Sequence, residues 1–276
     1  MSARPVHDLP GAVSVQTTAC RDGSPRTVAD WVADEVPIAL QYNGISHAVM
    51  LATPLDLEDF AFGFSLSEGI VDSAADLHDI TPEATSQGVV LHIEVAARCL
   101  ARLKERRRTL AGRTGCGLCG VESLAQALPP MAQRVTPFPL TREALPRALR
   151  EMRQQQALQS ATGATHAAAW CLLDGGMELV REDVGRHNAL DKLIGALARS
   201  RRDPATGFFT VTSRASYEMV QKAVRAGVGA LVAISAPTAL AIRSAEAAGL
   251  TLVGFARGDD WVAYSGAGHL LAEHME

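Results

Sequence analysis

The second half of the chain alternates short apolar runs with segments of helical spacing, and this alternation restricts the fold more than any other feature. Three of the apolar runs predict strands, at 207–212, 230–235 and 251–255. Three segments of about ten residues predict helices, at 187–197, 217–225 and 238–248. Strands that alternate with helices in this way form a mostly parallel sheet with helices on its faces. We therefore predict an α/β domain in this half of the chain.

The first half shows a different pattern. Two apolar runs, 36–42 and 45–51, flank an Asn-Gly pair, which favours the positive φ angles of a tight hairpin turn. Thr53 and Pro54 then suit the N-cap and the first residue of a helix. Residues 88–95 alternate well enough to predict a further strand. These patterns indicate a smaller α+β unit.

A proline-rich stretch separates the two patterns. Four prolines lie between Pro129 and Pro139, a density that is typical of a linker. The first residues show no regular period, and we expect ordered structure to begin near Val28. The sequence predicts three parts: a loose segment at 1–27, an α+β domain at 28–139 that ends in a cysteine loop and the linker, and an α/β domain at 140–276.

Composition argues against several classes of protein. The chain has 26 basic and 30 acidic residues and a net charge of −4, which disfavours nucleic-acid binding. No apolar run is long enough to cross a membrane, and the N-terminus lacks the pattern of a signal peptide. Five cysteines are too few for a disulfide scaffold. We therefore expect a cytoplasmic protein with reduced thiols.

Cys116 and Cys119 lie in the glycine-rich run from Thr114 to Gly120. Zinc binding, thiol–disulfide exchange and carriage of a sulfur atom are three chemistries for such a pair. A structural zinc site needs four ligands, and an exchange motif opens a helix directly after a strand, neither of which is evident here. The preceding stretch, 98–113, holds seven basic residues and one acidic residue. It suits a solvated helix face or a docking surface for an acidic partner, and its positive charge favours a reactive thiolate and hence sulfur carriage.

Polar residues follow four of the predicted strands where each strand ends. They occupy the segments 181–188, 212–216, 235–238 and 255–260. Ligands of open α/β sheets bind at the carboxyl ends of the strands, and arginines in three of these segments match phosphate. This edge therefore predicts a pocket for a phosphorylated or nucleotide ligand. Plainer interpretations remain open, since Ser216 and Thr238 suit helix N-caps and Arg181 and Glu182 suit a surface ion pair.

Several of these motifs occur in one order along the chain. They are the Gly-Cys-Gly-x-Cys-Gly loop and the segments 181–192, 213–218, 235–238 and 251–258. In this combination, from Val36 to Tyr264, the chain resembles the formate dehydrogenase accessory sulfurtransferase family (FdhD). Several long motifs in a fixed order make the resemblance more specific than the cysteine pair alone.

The resemblance implies a function and partners. Proteins of this family take sulfur from a cysteine desulfurase and pass it to the molybdenum cofactor, in its bis-molybdopterin guanine dinucleotide form, for formate dehydrogenase. By this resemblance Cys116 carries a persulfide, Cys119 is its neighbour, and the cofactor is a bound client with no permanent metal besides it. The resemblance also implies a homodimer and a C-terminal domain similar to the cytidine deaminase fold, a three-layer sandwich with a mixed, mostly parallel sheet.

The resemblance also identifies candidate cofactor-binding residues. The family's cofactor-binding loop maps onto Phe255, Ala256, Arg257, Gly258, Asp259 and Asp260. The neighbouring strand ends add Arg186, His187, Ser213 and Arg214. Family members often have a glycine or a basic residue after the Arg-Gly pair, whereas this chain has two acids there. Two carboxylates repel phosphate unless they point away or bind the guanine edge.

Two other functions stay open at this point. A non-catalytic cofactor chaperone would bind guanine nucleotide through the sheet edge and would need neither thiol. A nucleotide deaminase is suggested by the implied fold. It is disfavoured because His-x-Glu followed by Pro-Cys-x-x-Cys does not occur in the sequence.

Overall fold

The computed structural model describes residues 9–111 and 133–271 of the chain. In chain order the strands are β1 (Ala12–Arg21), β2 (Ser24–Ala33), β3 (Val36–Tyr42), β4 (Ile45–Ala52), β5 (Leu77–Thr85), β6 (Gly88–Val95), β7 (Leu140–Thr141), β8 (His166–Leu172), β9 (Met177–Asp183), β10 (Gly207–Val211), β11 (Ala230–Ala233), β12 (Thr251–Arg257), β13 (Asp260–Ser265) and β14 (Leu270–Leu271). The helices are α1 (Leu57–Ser67), α2 (Ala97–Ala111), α3 (Ala144–Gln155), α4 (Ala157–Thr162), α5 (Arg186–Arg199), α6 (Tyr217–Arg225) and α7 (Ala239–Ala248). None of these helices is long and apolar enough to cross a membrane.

Residues 12–33 form an antiparallel hairpin, so the prediction of a loose segment at 1–27 is wrong for residues 12–27. β1 and β2 pair along their whole length. Asp22 and Gly23 close the turn with φ angles of 53° and 73°, and Asp-Gly is itself a hairpin signal. The apolar alternation that marks a strand is weak here because most side chains of β1 and β2 are exposed.

A four-stranded sheet in the order β4-β3-β6-β5 forms the core of the first half. The hairpin predicted around Asn43 and Gly44 is confirmed, and these residues have φ angles of 47° and 78°. α1 packs its phenylalanines, Phe60 and Phe64, against this sheet. α1 begins at Leu57 and not near Thr53 as predicted. The physical reason is that the polar groups of Thr53 bind the second half of the chain.

The second half contains a six-stranded sheet in the order β13-β12-β11-β10-β8-β9. The three strands β10, β11 and β12 are parallel neighbours, whereas the other three pairs in this sheet are antiparallel. The sheet is mixed, as predicted, but it is less parallel than predicted. The β8–β9 and β12–β13 pairs are antiparallel because they are hairpins, whose short connections cannot join parallel strands. The third antiparallel pair joins β8 to β10, which follows it in the chain only after β9 and α5.

Helices cover both faces of the six-stranded sheet. α5, α6 and α7 pack on one face, around Trp170 and Phe209. α3 packs on the other face, around Phe208 and Val232. Because successive strand residues point to opposite faces, a strand covered on both sides is apolar throughout. Between β7 and β8 the chain forms two helices, α3 and α4, which are separated at Gln156.

The two halves meet along α1 and α5. A Cβ atom on Gly63 would lie 1.7 Å from the backbone oxygen of Asp191. A Cβ atom on Gly195 would lie 1.9 Å from the backbone oxygen of Asp59. Only glycine allows two helix backbones to approach this closely. The contact of α1 and the loop before it with α5 and α6 is called the seam below.

Candidate functional site

The carboxyl edge of the six-stranded sheet opens into a cleft of about 1310 Å³. From the sheet, the cleft is lined by the ends of β10, β11 and β12 and by the start of β8, which runs in the opposite direction. Residues of α3, α4 and the β12–β13 turn complete the lining. Cavities for small ligands usually have volumes of about 300–1,000 Å³. This cleft is therefore large enough for a ligand of nucleotide size or larger.

Four of the ten candidate cofactor-binding residues line the cleft: Ala256, Arg257, Gly258 and Asp259. Phe255 and Asp260 belong to the same segment but lie outside the lining. Asp260 begins β13 and stands opposite Arg257 in the register of the two strands. The two adjacent acids are thereby separated, and Asp259 is the one on the cleft.

Phe255 has an unusual backbone conformation at the end of β12. Its φ angle is 52°, in the left-handed region that bulky residues rarely adopt. The pairing of β12 with β13 shifts between Gly254 and Arg257, and the Phe255 amide donates to the Ser235 carbonyl at 3.3 Å. Phe255 as a whole is 43% exposed. Strained residues of this kind concentrate at ligand-binding and catalytic sites.

His166 lines the cleft but is absent from the sequence motifs that predicted the site. Its Nδ1 lies 3.2 Å from the Thr212 hydroxyl, which also accepts the amide hydrogen of Ala167 at 3.0 Å. Burial lowers the pKa of His166, and the positive charge of Arg186 lowers it further. His166 therefore favours the neutral imidazole more strongly than a solvent-exposed histidine does. The sequence motifs missed His166 because they did not show that β8 runs antiparallel to β10. This direction brings His166, the first residue of β8, to the edge where the parallel strands end.

Arg186 and His187 form the first turn of α5, beside the cleft and outside its lining. Gly185 precedes them, and no side chain caps this helix end. The buried Nε of Arg186 has no hydrogen-bond partner among the described residues. His187 Nε2 lies 3.1 Å from Glu218 Oε2, and burial and then Arg186 lower the pKa of His187. His187 Nε2 is also buried without a hydrogen bond among the described residues, but it has Glu218 as a charged neighbour, whereas Arg186 has no carboxylate partner among them.

The remaining candidates are placed less favourably. Ser213 is buried and donates its hydroxyl hydrogen to the Arg214 carbonyl at 3.1 Å, while the Arg214 side chain is exposed away from the cleft lining. Cys116 and Cys119 lie outside the described residues. The other three cysteines, Cys20, Cys99 and Cys171, are free thiols.

Most polar residues of the 181–192 motif serve the seam. Lys192 and Asp183 form an ion pair of 2.7 Å, and both side chains are fully buried. Thr53 binds both of them, since its amide donates to Asp183 Oδ2 at 3.0 Å and its carbonyl accepts from Lys192 Nζ at 2.9 Å. Asn188 donates to Asp183 Oδ1 at 3.1 Å and to the Leu51 carbonyl at 2.8 Å.

A second buried network crosses the seam at Lys222. The Lys222 ammonium group contacts both oxygens of Asp191 at 2.9 and 3.0 Å. It also contacts the Ser67 hydroxyl at 2.8 Å and Glu68 Oε1 at 2.9 Å. Lys222 and Asp191 come from the second half of the chain and Ser67 and Glu68 from the first. The network therefore joins α5 and α6 to the end of α1.

Arg181 and Glu182 do not pair with each other, contrary to one interpretation of the sequence. Arg181 binds Asp59 of α1 with N···O distances of 2.9 and 2.6 Å. Glu182 accepts the amide hydrogens of Leu158 and Gln159 at 3.0 and 2.9 Å, which caps the first turn of α4. Both side chains position structural elements.

One cluster of metal-ligand types occurs among the described residues. Asp72, Asp76 and Cys99 offer ligand atoms within 4.8 Å of one another. Two arginines already neutralise this cluster, since Arg98 pairs with Asp76 and Arg102 pairs with Asp72 at 3.0 Å. Burial also raises the pKa of Cys99, which disfavours the thiolate that a metal needs. The cluster is best described as a charge-paired support of α2.

Comparison with known proteins identifies the family. The FdhD/NarQ family profile matches residues 33–271, which is most of the chain. The chain belongs to the FdhD/NarQ family. The family resemblance drawn from the sequence is thereby confirmed.

Curated relatives of the family extend over nearly the same length. A Variovorax paradoxus protein described as sulfur carrier protein FdhD is 59% identical over 239 residues, which are 86% of this chain and 85% of that protein. A Xanthomonas euvesicatoria protein with the same description is 55% identical over 258 residues, or 93% of this chain and 91% of that protein.

A solved structure has the same fold. The Desulfotalea psychrophila protein, provisionally described as a formate dehydrogenase accessory protein, superposes with a TM-score of 0.75. It is 22% identical, and the match covers 95% of this chain and all of that one.

Proposed function

We propose that this FdhD/NarQ protein is a cytoplasmic sulfur carrier that serves formate dehydrogenase. Sulfur arrives from a cysteine desulfurase, travels as a persulfide on Cys116, and passes to the molybdenum cofactor in its bis-molybdopterin guanine dinucleotide form. The observation that carries this proposal is the family match over residues 33–271, which includes the Cys116–Cys119 loop. Relatives above 50% identity that are described as sulfur carrier proteins support it.

The transfer itself is an attack of one sulfur on another. The Cys116 thiolate attacks the outer sulfur of the desulfurase persulfide, so that a new S–S bond forms on Cys116 while the donor S–S bond breaks. The donor cysteine leaves as a thiolate, and the rate depends on access and on the thiol pKa values. Arginines at 106, 107, 108 and 113 are close in sequence and favour the thiolate.

The cleft supports a nucleotide-bearing client. Three arginines line it without an ion-pair partner among the described residues: Arg150, Arg153 and Arg257. Beside the cleft, the buried Nε atom of Arg186 has no hydrogen-bond partner among the described residues. Guanidinium groups bind phosphate with two parallel hydrogen bonds. The donor set therefore fits the phosphates of a guanine dinucleotide cofactor.

Deaminase chemistry is disfavoured for the same cleft. We propose that the second half shares the layered architecture of cytidine deaminases without their chemistry. A zinc deaminase binds its metal with one histidine and two cysteines, or with three cysteines. The cleft lining described above contains His166 and no cysteine. Cys171 lies in β8 of the same sheet. Burial raises the pKa of its thiol to about 12, which keeps the thiol protonated.

The test is intact-mass measurement of the protein after incubation with a cysteine desulfurase and cysteine. We expect a gain of one sulfur atom, about 32 Da, that is lost in Cys116→Ala. Cys20→Ala is the matched control, because Cys20 is an exposed free thiol that takes no part in the proposed transfer of sulfur through Cys116, called the relay below. A Cys116→Ala protein that still accepts sulfur and still activates formate dehydrogenase contradicts the relay. Retained activation without either thiol would favour the non-catalytic chaperone.

A further inference from the structure

α3 presents three different faces, and one of them has a charge pattern that folding does not explain. The apolar face, with Leu145, Ala148 and Met152, packs on the six-stranded sheet. A second face carries Arg147 and Glu151. The third face lines the cleft with Pro146, Leu149, Arg150, Arg153 and Gln154. Residues three and four apart share a helix face, so the spacing of Arg150 and Arg153 places both guanidinium groups on the same side.

The arginines of α3 differ in how they are neutralised. Arg147 contacts Glu151 at 2.8 Å and Asp174 at 2.6 Å. Arg150 and Arg153 have no ion pair or side-chain hydrogen bond within 9–111 and 133–271. Arg153 lies in the last turn of α3, where a positive charge also favours the helix dipole. That effect gives no reason for Arg150, which lies a turn earlier and faces the same cleft.

The cleft concentrates positive charge in a protein that is acidic overall. Its lining contains three arginines and one carboxylate, Asp259. The chain as a whole has a net charge of −4. Arg150, Arg153 and Arg257 are exposed on this one concave surface and have no ion pair among the described residues. Positive charge gathered in a cleft attracts anions, and a ligand with two or more negative charges can contact more than one of these arginines.

We propose that Arg150 and Arg153 form a phosphate-binding wall of the cleft, which acts together with Arg257 to hold the phosphates of a nucleotide ligand. The inference rests on the proposed cofactor-holding function and adds a subsite on α3 that the family motifs do not include. Gln156, Gln159 and Thr165 also line the cleft and supply hydrogen-bonding groups for the uncharged part of the ligand. The Gln159 amide oxygen already accepts from the Thr165 amide at 2.9 Å, which leaves its NH₂ group for the ligand.

Calorimetric titration of the full-length protein with GDP, guanosine and inorganic pyrophosphate tests this proposal. We expect the double variant Arg150→Ala/Arg153→Ala to bind GDP about 10- to 100-fold more weakly, as expected for the loss of charge-assisted hydrogen bonds. Guanosine affinity should change less than about twofold, because guanosine has no phosphate. The affinity for GDP should also depend less steeply on salt in the double variant.

Arg142→Ala is the matched control, because Arg142 is an exposed arginine just before α3 and outside the cleft lining. A conservative variant, Arg150→Lys/Arg153→Lys, should recover part of the GDP affinity and so separates charge from folding. Unaltered GDP binding by the alanine double variant overturns the proposal. An equal loss of guanosine affinity also overturns it, since the arginines would then act on the base or on the fold. If the protein binds pyrophosphate but not GDP, the cleft holds an adventitious ion only, and the proposal is overturned.

The relay and the phosphate wall can fail separately. The mass gain on Cys116 measures sulfur transfer and needs no nucleotide. The GDP titration measures the cleft and needs no thiol. If Cys116→Ala still carries sulfur while the alanine double variant loses GDP, the relay fails and the phosphate wall stands.

Discussion

The seam and the cleft use the same kinds of charged residue in opposite ways. At the seam, Lys192 and Asp183 are fully buried and bind each other and Thr53. At the cleft, Arg257 and Asp259 are exposed, and neither has an ion pair among the described residues. An unpaired charge destabilises the fold when it is buried, because it has lost its hydration. An exposed charge stays hydrated and needs no partner until a ligand binds. The difference indicates that the seam charges maintain the fold, whereas the cleft charges are available to a ligand.

The largest expected effect is the loss of a buried partner at the seam. Lys192→Met removes the positive charge beside Asp183 and leaves a fully buried carboxylate with no counter-charge. We expect the free energy of unfolding to fall by about 3–5 kcal/mol, measured by denaturant titration. Glu83→Gln is the control, because the Glu83–His92 pair is exposed and should contribute less than about 1 kcal/mol. Equal losses in the two variants would contradict the assignment of the seam to folding.

The next effect concerns the backbone contact between α1 and α5. Gly63→Ala places a methyl group where the Asp191 carbonyl lies, so the helices must separate. We expect a destabilisation of about 1–3 kcal/mol or more in thermal or chemical unfolding. Gly268→Ala has open space around its Cβ position and should leave stability nearly unchanged. A Gly63→Ala protein as stable as the Gly268→Ala protein would show that the seam can relax.

The third effect compares two arginines that the sequence predicted together. Arg257 lines the cleft, and Arg214 lies outside its lining. We expect Arg257→Ala to weaken GDP binding about tenfold and Arg214→Ala to change it less than about twofold, measured by calorimetry. Both side chains are exposed, so both variants should fold normally. A larger loss for Arg214→Ala would place the ligand on the other side of the β10 strand end.

The smallest effect is a pH dependence from the cleft. The pKa of His166 is lowered by burial and by Arg186, whereas an unfolded histidine has a pKa of about 6.5. Below about pH 6.5 the unfolded chain therefore binds a proton that the folded chain resists, and stability falls as the pH falls. His166→Gln should remove part of the loss seen between pH 7.5 and 5.5 in thermal unfolding. An identical pH dependence in the two proteins would mean that His166 titrates normally.

Local signals in the sequence were reliable where the structure they predict is local. The Asn43–Gly44 turn and the helix at 217–225 are confirmed at their predicted positions. The hairpin at 12–33 was missed although Asp22-Gly23 marks its turn, because exposed strands lack an apolar period. The start of α1 was misplaced because Thr53, followed by Pro54, is typical of an N-cap in sequence. In the structure the Thr53 backbone instead binds Asp183 and Lys192 at the seam.

The sequence predicted which sheet edge opens into a cleft, but it predicted only some of the residues that line the cleft. The rule that ligands bind at the carboxyl ends of strands located the cleft, and Ala256 to Asp259 line it. Arg150, Arg153 and His166 carried no signal of their own. An arginine on an amphipathic helix has the same appearance in sequence whether it pairs with a neighbour, as Arg147 does, or faces a cleft.

By itself the sequence determined the family, the alternation of strands and helices, and the edge of the sheet that opens into the cleft. Only the tertiary structure decided which charges are partnered. Thr53 and Asp183 are 130 residues apart and meet at 3.0 Å, a contact that no local pattern specifies. The physical reason is that periodicity and turn chemistry act over a few residues, whereas burial and ion pairing depend on which distant segments the fold brings together.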